Sequence, residues 1–154
     1  MYHMKNMATP QGCTNLKLRQ LGRMVSRHYD SYMATTGLKN TQYALLSCVV
    51  KLGPIRPSDL ARHLQMDAST LTRNLKPMLT QGWLTVGAGE DARSRLVEVT
   101  EAGRALRIKG QRAWKAAQTA LNHQLGLEQV GVLHDLLDAS MLALDEASSS
   151  AISL

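Results

Sequence analysis

The sequence predicts a mainly α fold with a small β wing, in which a winged helix-turn-helix domain is joined to a terminal-helix dimerisation domain. Two observations in the middle of the chain indicate this class: residues 58–79 have the pattern of two short amphipathic helices separated by a tight turn, and two β-rich runs follow them. The third is that long apolar stripes with helical spacing lie near both ends of the chain. With 154 residues, 44% of them apolar, the chain has the length of one domain with its own core and an attached helical arm.

The central pair of helices is broken at residues 65–67. Pro57 suits the first turn of the first helix, where no backbone N–H is needed, and Asp67 is placed to cap the second helix. Once the leucines of the second helix point inward, the outward positions all carry hydrogen-bond donors: Ser69, Thr70, Thr72, Arg73, Asn74 and Lys76. A helix face with donors and no acid after its cap fits the phosphates and base edges of double-stranded DNA. The alternative is an ordinary polar face in a winged-helix module that binds an acidic protein partner.

A β-hairpin is predicted after the helix-turn-helix. Trp83–Val86 and Leu96–Val99 are short β-rich runs that predict its two strands. Residues 87–95 between them begin with glycines and carry Arg93 and Arg95 at the far side. This composition predicts a long, mobile, basic tip.

Helical spacing predicts four further helices around this unit. They run from Asn15 to about Met33, from Asn40 or Thr41 to Lys51, from a Thr100 cap to Gly126 and from about Glu128 to Ala147, with a strand stub at Ile55. Pro77, late in the second helix of the central pair, indicates either a kink or an early end, because proline removes the hydrogen bond to the Arg73 carbonyl. We therefore expect a disordered lead at 1–12, a helical dimerisation region at 13–36 and 104–147, a winged helix-turn-helix DNA-binding region at 37–103 and a frayed tail at 148–154.

Two patterns indicate partners. The small winged core cannot cover the apolar stripes of the first and last helices, so a second copy of the chain is the simplest partner and a homodimer is expected. The net charge of +6 is divided unevenly, because residues 116–154 hold five acids and no Lys or Arg. A basic body with an acidic arm fits a body that faces a polyanion while the arm packs away from it.

Several function classes find no support in the sequence. There is no run of 18 apolar residues and no secretion leader, so we expect no membrane association and a cytoplasmic location. Cys13 and Cys48 are too few for a disulfide scaffold. The histidines lack metal-ligand spacing and no catalytic constellation can be argued, so we expect no metal, no cofactor and no enzyme activity.

Three stretches resemble one known family: Asp67-x-Ser-Thr-Leu-Thr-Arg-x-Leu75, Asp91-x-Arg93 and Val99-Thr-Glu-Ala-Gly103. With the helices around them, they resemble the MarR (multiple antibiotic resistance regulator) family of winged-helix repressors over residues 14–145. The resemblance implies an obligate homodimer that binds palindromes in promoters and is released by small aromatic or phenolic acids or by thiol oxidation. It also implies that Arg93 enters the minor groove and that Asp91 holds this arginine in place, in agreement with the attraction of a hairpin arginine to a narrow minor groove. Residues 87–90 depart from the family, whose members often carry more arginine there.

The resemblance also suggests where an effector acts. A pocket for an aromatic carboxylate is expected at the junction of the first, second and fifth helices, lined by Arg19, His28, Tyr29, Tyr43 and Trp114. The alternative is that the tyrosines and the tryptophan are core residues and that the arginine is solvated. Cys13, near the expected dimer layer, is the first candidate for a redox-sensing thiol, and Cys48, on the packed side of its helix, is the second.

Overall fold

The helices and strands follow the predicted order in the computed structural model, which describes residues 9–88, 91 and 94–151. The elements are α1 (Thr14–Met33), a 3-10 turn (Ala34–Thr36), α2 (Asn40–Leu52), α3 (Pro57–His63), α4 (Ala68–Thr80), β1 (Leu84–Val86), β2 (Val97–Val99), α5 (Glu101–Leu125) and α6 (Leu127–Ala151). The predicted class, mainly α with a small β wing, is confirmed. None of the described helices is long and apolar enough to cross a membrane.

The winged unit is built around one apolar core. Leucines and a methionine from α3 and α4 are fully or almost fully buried together with Leu84 of β1 and Val97 of β2. The two strands pair antiparallel, with Leu84 opposite Val99 and Val86 opposite Val97. Ile55 forms a single bridge to Val97, which confirms the predicted strand stub. The alternation of buried and exposed residues on these strands places one face of the wing on the core and leaves the other free.

The turn between α3 and α4 has the predicted form. Pro57 occupies the first turn of α3, and Asp67 is the N-cap of α4, where its side chain accepts from the Thr70 N–H. Gln65, between the helices, adopts a left-handed backbone with φ of 52°. This conformation allows the chain to turn within three residues, so that α3 and α4 both bury one side in the same core.

One junction joins the end of the winged unit to α5. The Thr100 hydroxyl donates to the Gly82 carbonyl oxygen at 2.6 Å and accepts from the Gly103 N–H at 3.0 Å, which caps α5 as predicted. At Gly103 the backbone of α5 passes so close to β1 that an added Cβ would lie 2.1 Å from the Trp83 carbonyl oxygen. This position therefore has room only for glycine.

The terminal helices leave much apolar surface uncovered. α1 packs mainly against α5, but Leu16, Leu18 and Met24 remain half exposed or more. Among the described side chains of α6, Val130 near its start is buried, whereas Leu136 and Leu144 are 61% and 70% exposed.

Four details differ from the sequence-based expectations. The first turn of α2 is not capped by Asn40 or Thr41: the Asn40 N–H donates to the Asp30 carboxylate of α1 at 2.8 Å, a contact between distant residues that periodicity does not reveal. The alternative that α4 ends early at Pro77 is wrong, because the helix continues to Thr80. The 3-10 turn was not foreseen, and α6 runs to Ala151 through residues that were expected to fray. The expected disorder of residues 1–8 falls outside the described residues, and residues 9–12 contain no helix or strand.

We expect Gly103→Ala to lower the free energy of unfolding by about 1–3 kcal/mol, the usual cost of forcing extra atoms into a packed interior, because backbone atoms have to move to admit the methyl group. Gly131→Ala in α6 is the matched control, since an added Cβ there meets nothing within 4 Å. Alanine is the better helix former, so the control should be neutral or stabilising. Urea denaturation of both variants tests this, and equal midpoints for the two would contradict it.

Candidate nucleic-acid interface

The outward side of α4 is polar and cationic, as predicted. Leu71, Leu75 and Met78 are buried against the core and hold the helix in place. The exposed side chains of the predicted set are Ser69, Thr72, Arg73 and Lys76. Thr70 and Asn74 are partly buried, and the Asn74 amide lies 3.6 Å from the Met66 sulfur. The accessible part of the predicted surface therefore consists of the four exposed residues.

Several donors of this surface are already engaged within the helix. The Ser69 hydroxyl donates to the Asp67 carboxylate at 2.7 Å, and the Thr72 hydroxyl donates to the Ala68 carbonyl at 2.9 Å. A hydroxyl has one hydrogen, so Ser69 and Thr72 present acceptor oxygens outward in this arrangement. Arg73 and Lys76 are then the accessible groups that carry both positive charge and donors. This refines the expectation that all six residues offer donors.

Asp67 is an acid at the edge of this cationic surface, and its charge is held locally. Its carboxylate accepts from the Thr70 N–H at 2.7 Å and from the Ser69 hydroxyl. These hydrogen bonds, the backbone one first, lower the pKa of Asp67 from 3.8 to about 2. The carboxylate is therefore ionised at neutral pH and caps the N-terminus of α4.

The described part of the wing forms a turn held by Asp91. Its carboxylate accepts from the Ser94 N–H at 2.9 Å and from the Ser94 hydroxyl at 3.0 Å. Arg95, the residue after this turn, is exposed. Arg93 lies outside the described residues, so its role and the support that Asp91 is expected to give it stay predictions. In the structure, Asp91 stabilises the backbone turn of the wing by accepting these hydrogen bonds from Ser94.

The aromatic residues of the expected effector pocket do meet, but Arg19 does not join them. The rings of Tyr43 and Trp114 stack at a centroid distance of 6.0 Å, and Tyr29 lies 6.5 Å from Trp114. His28 Nε2 donates to the Ala117 carbonyl at 2.8 Å, which ties α1 to α5. Arg19 precedes His28 by nine residues, which at 100° per residue places it on the opposite side of α1.

Burial favours a structural role for part of this group. Tyr43 is only 5% exposed and belongs to the core, and Trp114 packs against that core. Burial also raises the pKa of Tyr29, so its hydroxyl stays protonated at physiological pH. For Tyr43 and Trp114 the contacts agree with the core alternative, and His28 and Tyr29 are partly buried beside them.

The two cysteines differ in accessibility. Cys13 is exposed at the residue before α1, whereas Cys48 is partly buried in α2. Burial raises the pKa of the Cys48 thiol, against a smaller opposing effect of Lys51. The thiolate is the reactive form of cysteine, and a raised pKa leaves less of it at neutral pH. Cys48 is therefore expected to be less reactive than an exposed thiol. Within the part of the chain that is described, no group of three His, Cys, Asp or Glu is arranged to hold a metal ion.

Sequence reasoning missed Lys39 at the start of α2. A small cavity of about 160 Å³ is lined by Lys39, Thr41 and Gln42 on one side and by Arg73, Asn74 and Pro77 on the other. Lys39 is exposed and thus extends the cationic surface of α4 onto α2. No local pattern marks this residue, because its position beside Arg73 results from tertiary packing.

The Asp67 cap should give stability that depends on pH. Because its folded pKa lies below the unfolded value of 3.8, the cap stabilises the fold fully above about pH 4 and loses this effect as the pH falls toward 2. We expect Asp67→Ala to lower the melting temperature at pH 7 and the difference from wild type to shrink between pH 4 and 2. Asp67→Asn is the control: it retains a capping oxygen without the titration, so it should stay near wild type at pH 7. A difference between wild type and Asp67→Ala that does not change with pH would contradict this role.

Comparisons with known proteins agree with this geometry. Residues 38–94 match the model of the MarR family. The chain is 28% identical over 85 residues to the HTH-type transcriptional regulator YwoH of Bacillus subtilis, a match that spans 55% of this chain and 62% of YwoH, less than two thirds of that protein's length. It is 29% identical over 126 residues to the multiple antibiotic resistance protein MarR of Salmonella typhimurium, across 76% of this chain and 88% of that protein.

A solved structure extends the similarity over most of the chain. The M. tuberculosis transcriptional regulator MosR, crystallised with DNA, superposes with a TM-score of 0.75 at 30% identity and covers 87% of this chain and 98% of its own. Matching family model, related sequences and shared architecture point the same way, and the chain belongs to the MarR family of transcriptional regulators.

Proposed function

We propose that this regulator is a homodimeric repressor that binds a palindromic operator in double-stranded DNA. The observation that carries the proposal is the exposed side of α4, where Arg73 and Lys76 stand clear of the core with no acid beyond the engaged cap. A helix that exposes cationic hydrogen-bond donors on its outer side suits the major groove, which presents acceptors on guanine and phosphate oxygens along its edges. The related MosR structure, which holds DNA, supports this use of the surface.

The wing supports a second contact on the same duplex. Asp91 and Ser94 close its turn and Arg95 is exposed beside it. Arg93, by its place in the sequence, is the residue proposed to enter the minor groove. Contacts to both grooves would fix the orientation of α4 on its half-site.

The uncovered apolar surface of α1 and α6 supports dimerisation. The stripe on α6 starts at the buried Val130, becomes more exposed at Leu137, which is 36% exposed, and reaches 70% exposure at Leu144. Monomeric soluble proteins rarely expose so long a stripe, so a partner that continues this packing is expected. A two-fold axis between two chains would present two copies of α4 and thus match a palindrome with half-sites about one helical turn apart.

We further propose that a small aromatic or phenolic ligand, or oxidation of a thiol, releases the repressor in the cytoplasm. The joint of His28, Tyr29, Tyr43 and Trp114 supports the ligand route because it connects α1 and α2 with α5. A ligand that prefers one arrangement of this joint would shift the spacing of the two reading helices. Exposed Cys13 supports the oxidant route better than Cys48 does.

The operator test uses Arg73→Ala in a gel shift with DNA from beside the protein's own gene. If Arg73 contacts a guanine, its loss should cost about 1–3 kcal/mol of binding, and the variant should discriminate less at one symmetric pair of positions. Lys51→Ala, which removes an exposed charge from the far end of α2, is the control and should bind like wild type. Unchanged affinity of Arg73→Ala would exclude Arg73 from the interface, and binding only to an acidic protein would favour the interaction-module alternative.

The dimer test uses two exposed leucines of α6. Leu144 continues the apolar stripe and is 70% exposed, whereas Leu142 is 62% exposed and lies on the side that α6 shares with its acids. Leu144→Glu would bury a charge in the proposed interface, so we expect it to produce monomers in sedimentation while Leu142→Glu stays dimeric. The monomeric variant should bind the operator about 100-fold more weakly or worse, because the second half-site is no longer tethered. A wild-type chain that sediments as a monomer would rule out the proposed assembly.

A further inference from the structure

Three arginines form a ridge along one side of α1. Arg19, Arg23 and Arg27 recur every four residues, and Gly22 and Ser26 between them leave a shallow groove of about 620 Å³. The rise of a helix places Arg19 and Arg27 roughly 12 Å apart along the axis. All three arginines are exposed, and the middle of the ridge lies about 140° around α1 from His28, which bonds to α5.

The charge of this arginine ridge is not balanced by its surroundings. Asp30 is the acid that lines the groove, and its Oδ1 accepts from the backbone N–H and the side-chain amide of Asn40 at 2.8 and 2.9 Å. Across the part of the chain that the structure describes, none of the three ridge arginines forms an ion pair. Like charges four residues apart destabilise a helix by about 0.2–0.5 kcal/mol per pair, so the ridge has a cost in the isolated chain.

One end of the arginine ridge lies near the start of α2, which also contacts α4. At its end, Asn40 of α2 bonds to Asp30 and lies 3.4 Å from the Ser26 carbonyl oxygen. The neighbouring Lys39 lines the cavity that it shares with Arg73 of α4. The start of α2 thus contacts the end of the ridge through Asn40 and contacts α4 through Lys39.

We propose that the arginine ridge binds the phosphate backbone of duplex DNA that flanks the half-site read by α4; this inference rests on the proposed function. A length of roughly 12 Å corresponds to between three and four phosphates of one strand, so the ridge matches a short stretch of backbone.

The other polyanionic candidate, the acidic side of a partner's α6, fits less well. Glu128, Asp135 and Glu146 of α6 lie on the side opposite its apolar stripe, and Asp138 and Asp145 lie at the flank of the stripe. An α6 that packs through this stripe therefore turns three of its five acids away from the interface.

The experiment compares two duplexes, one limited to the operator and one with about ten further base pairs on each side. Binding is measured over a range of salt concentrations for wild type and for the triple variant Arg19→Gln, Arg23→Gln, Arg27→Gln. Glutamine has nearly the helix propensity of arginine, so α1 should stay folded. The control variant Lys17→Gln, Lys51→Gln, Lys109→Gln removes three exposed charges outside the ridge.

On the long duplex, the triple variant should lower the log-log salt slope by about five if all six arginines of a dimer displace counterions, and by about two if one arginine per chain does. The short duplex should bind both variants like wild type, and wild type itself should show a steeper slope on the long duplex than on the short one.

An unchanged slope on the long duplex would overturn the proposal, and so would an equal loss on both duplexes. Dissociation of the triple variant into monomers in sedimentation would overturn it by assigning the ridge to the subunit interface. If wild type binds neither duplex, the proposed function itself fails. If wild type binds both duplexes with the same salt slope, only the proposal for the arginine ridge fails.

Discussion

The burial of one side of α4 is the constraint on which the rest of the structure depends. Leu71, Leu75 and Met78 are buried against the same core that holds Leu84 and Val97 of the wing strands. Since these three side chains fix the rotation of α4 about its axis, they decide that Arg73 and Lys76 point outward. The polar surface is therefore a result of core packing, and its accuracy depends on apolar residues that never meet a ligand.

Much of this arrangement could be predicted because it is encoded locally. The spacing of the leucines, Pro57 at a helix start, Asp67 as a cap and the β-rich runs at 84–86 and 97–99 each act over a few residues. These signals predicted each α-helix and strand to within a few residues at their ends. Arg19, Arg23 and Arg27 were also readable as a repeat of four, although their significance depends on which side of α1 is covered.

What could not be predicted depends on contacts between distant parts of the chain. The acceptor for the Asn40 N–H at the start of α2 is Asp30 in another helix, and the cavity that joins Lys39 to Arg73 exists only after α2 packs beside α4. The engagement of the Ser69 and Thr72 hydroxyls within α4 is local, but a residue type indicates only that a hydroxyl can donate and not where its hydrogen goes. The pairing of Tyr43 with Trp114 likewise needed the helices in place, whereas the separation of Arg19 from His28 follows from their spacing of nine residues along α1.

The junction at Thr100 has a mechanical consequence. Thr100 and Gly103 tie the segment between α4 and β1 to the start of α5, so a tilt of α5 would be passed on to these elements. Trp114 lies 13 residues along α5, roughly 20 Å from that junction, which makes α5 a lever arm. A tilt of about five degrees at the aromatic joint would move α4 by roughly 2 Å, enough to take its side chains out of hydrogen-bonding range of fixed base edges. If a ligand acts at these aromatic side chains, as we propose, a small change in their packing would therefore become a displacement of atomic size at α4.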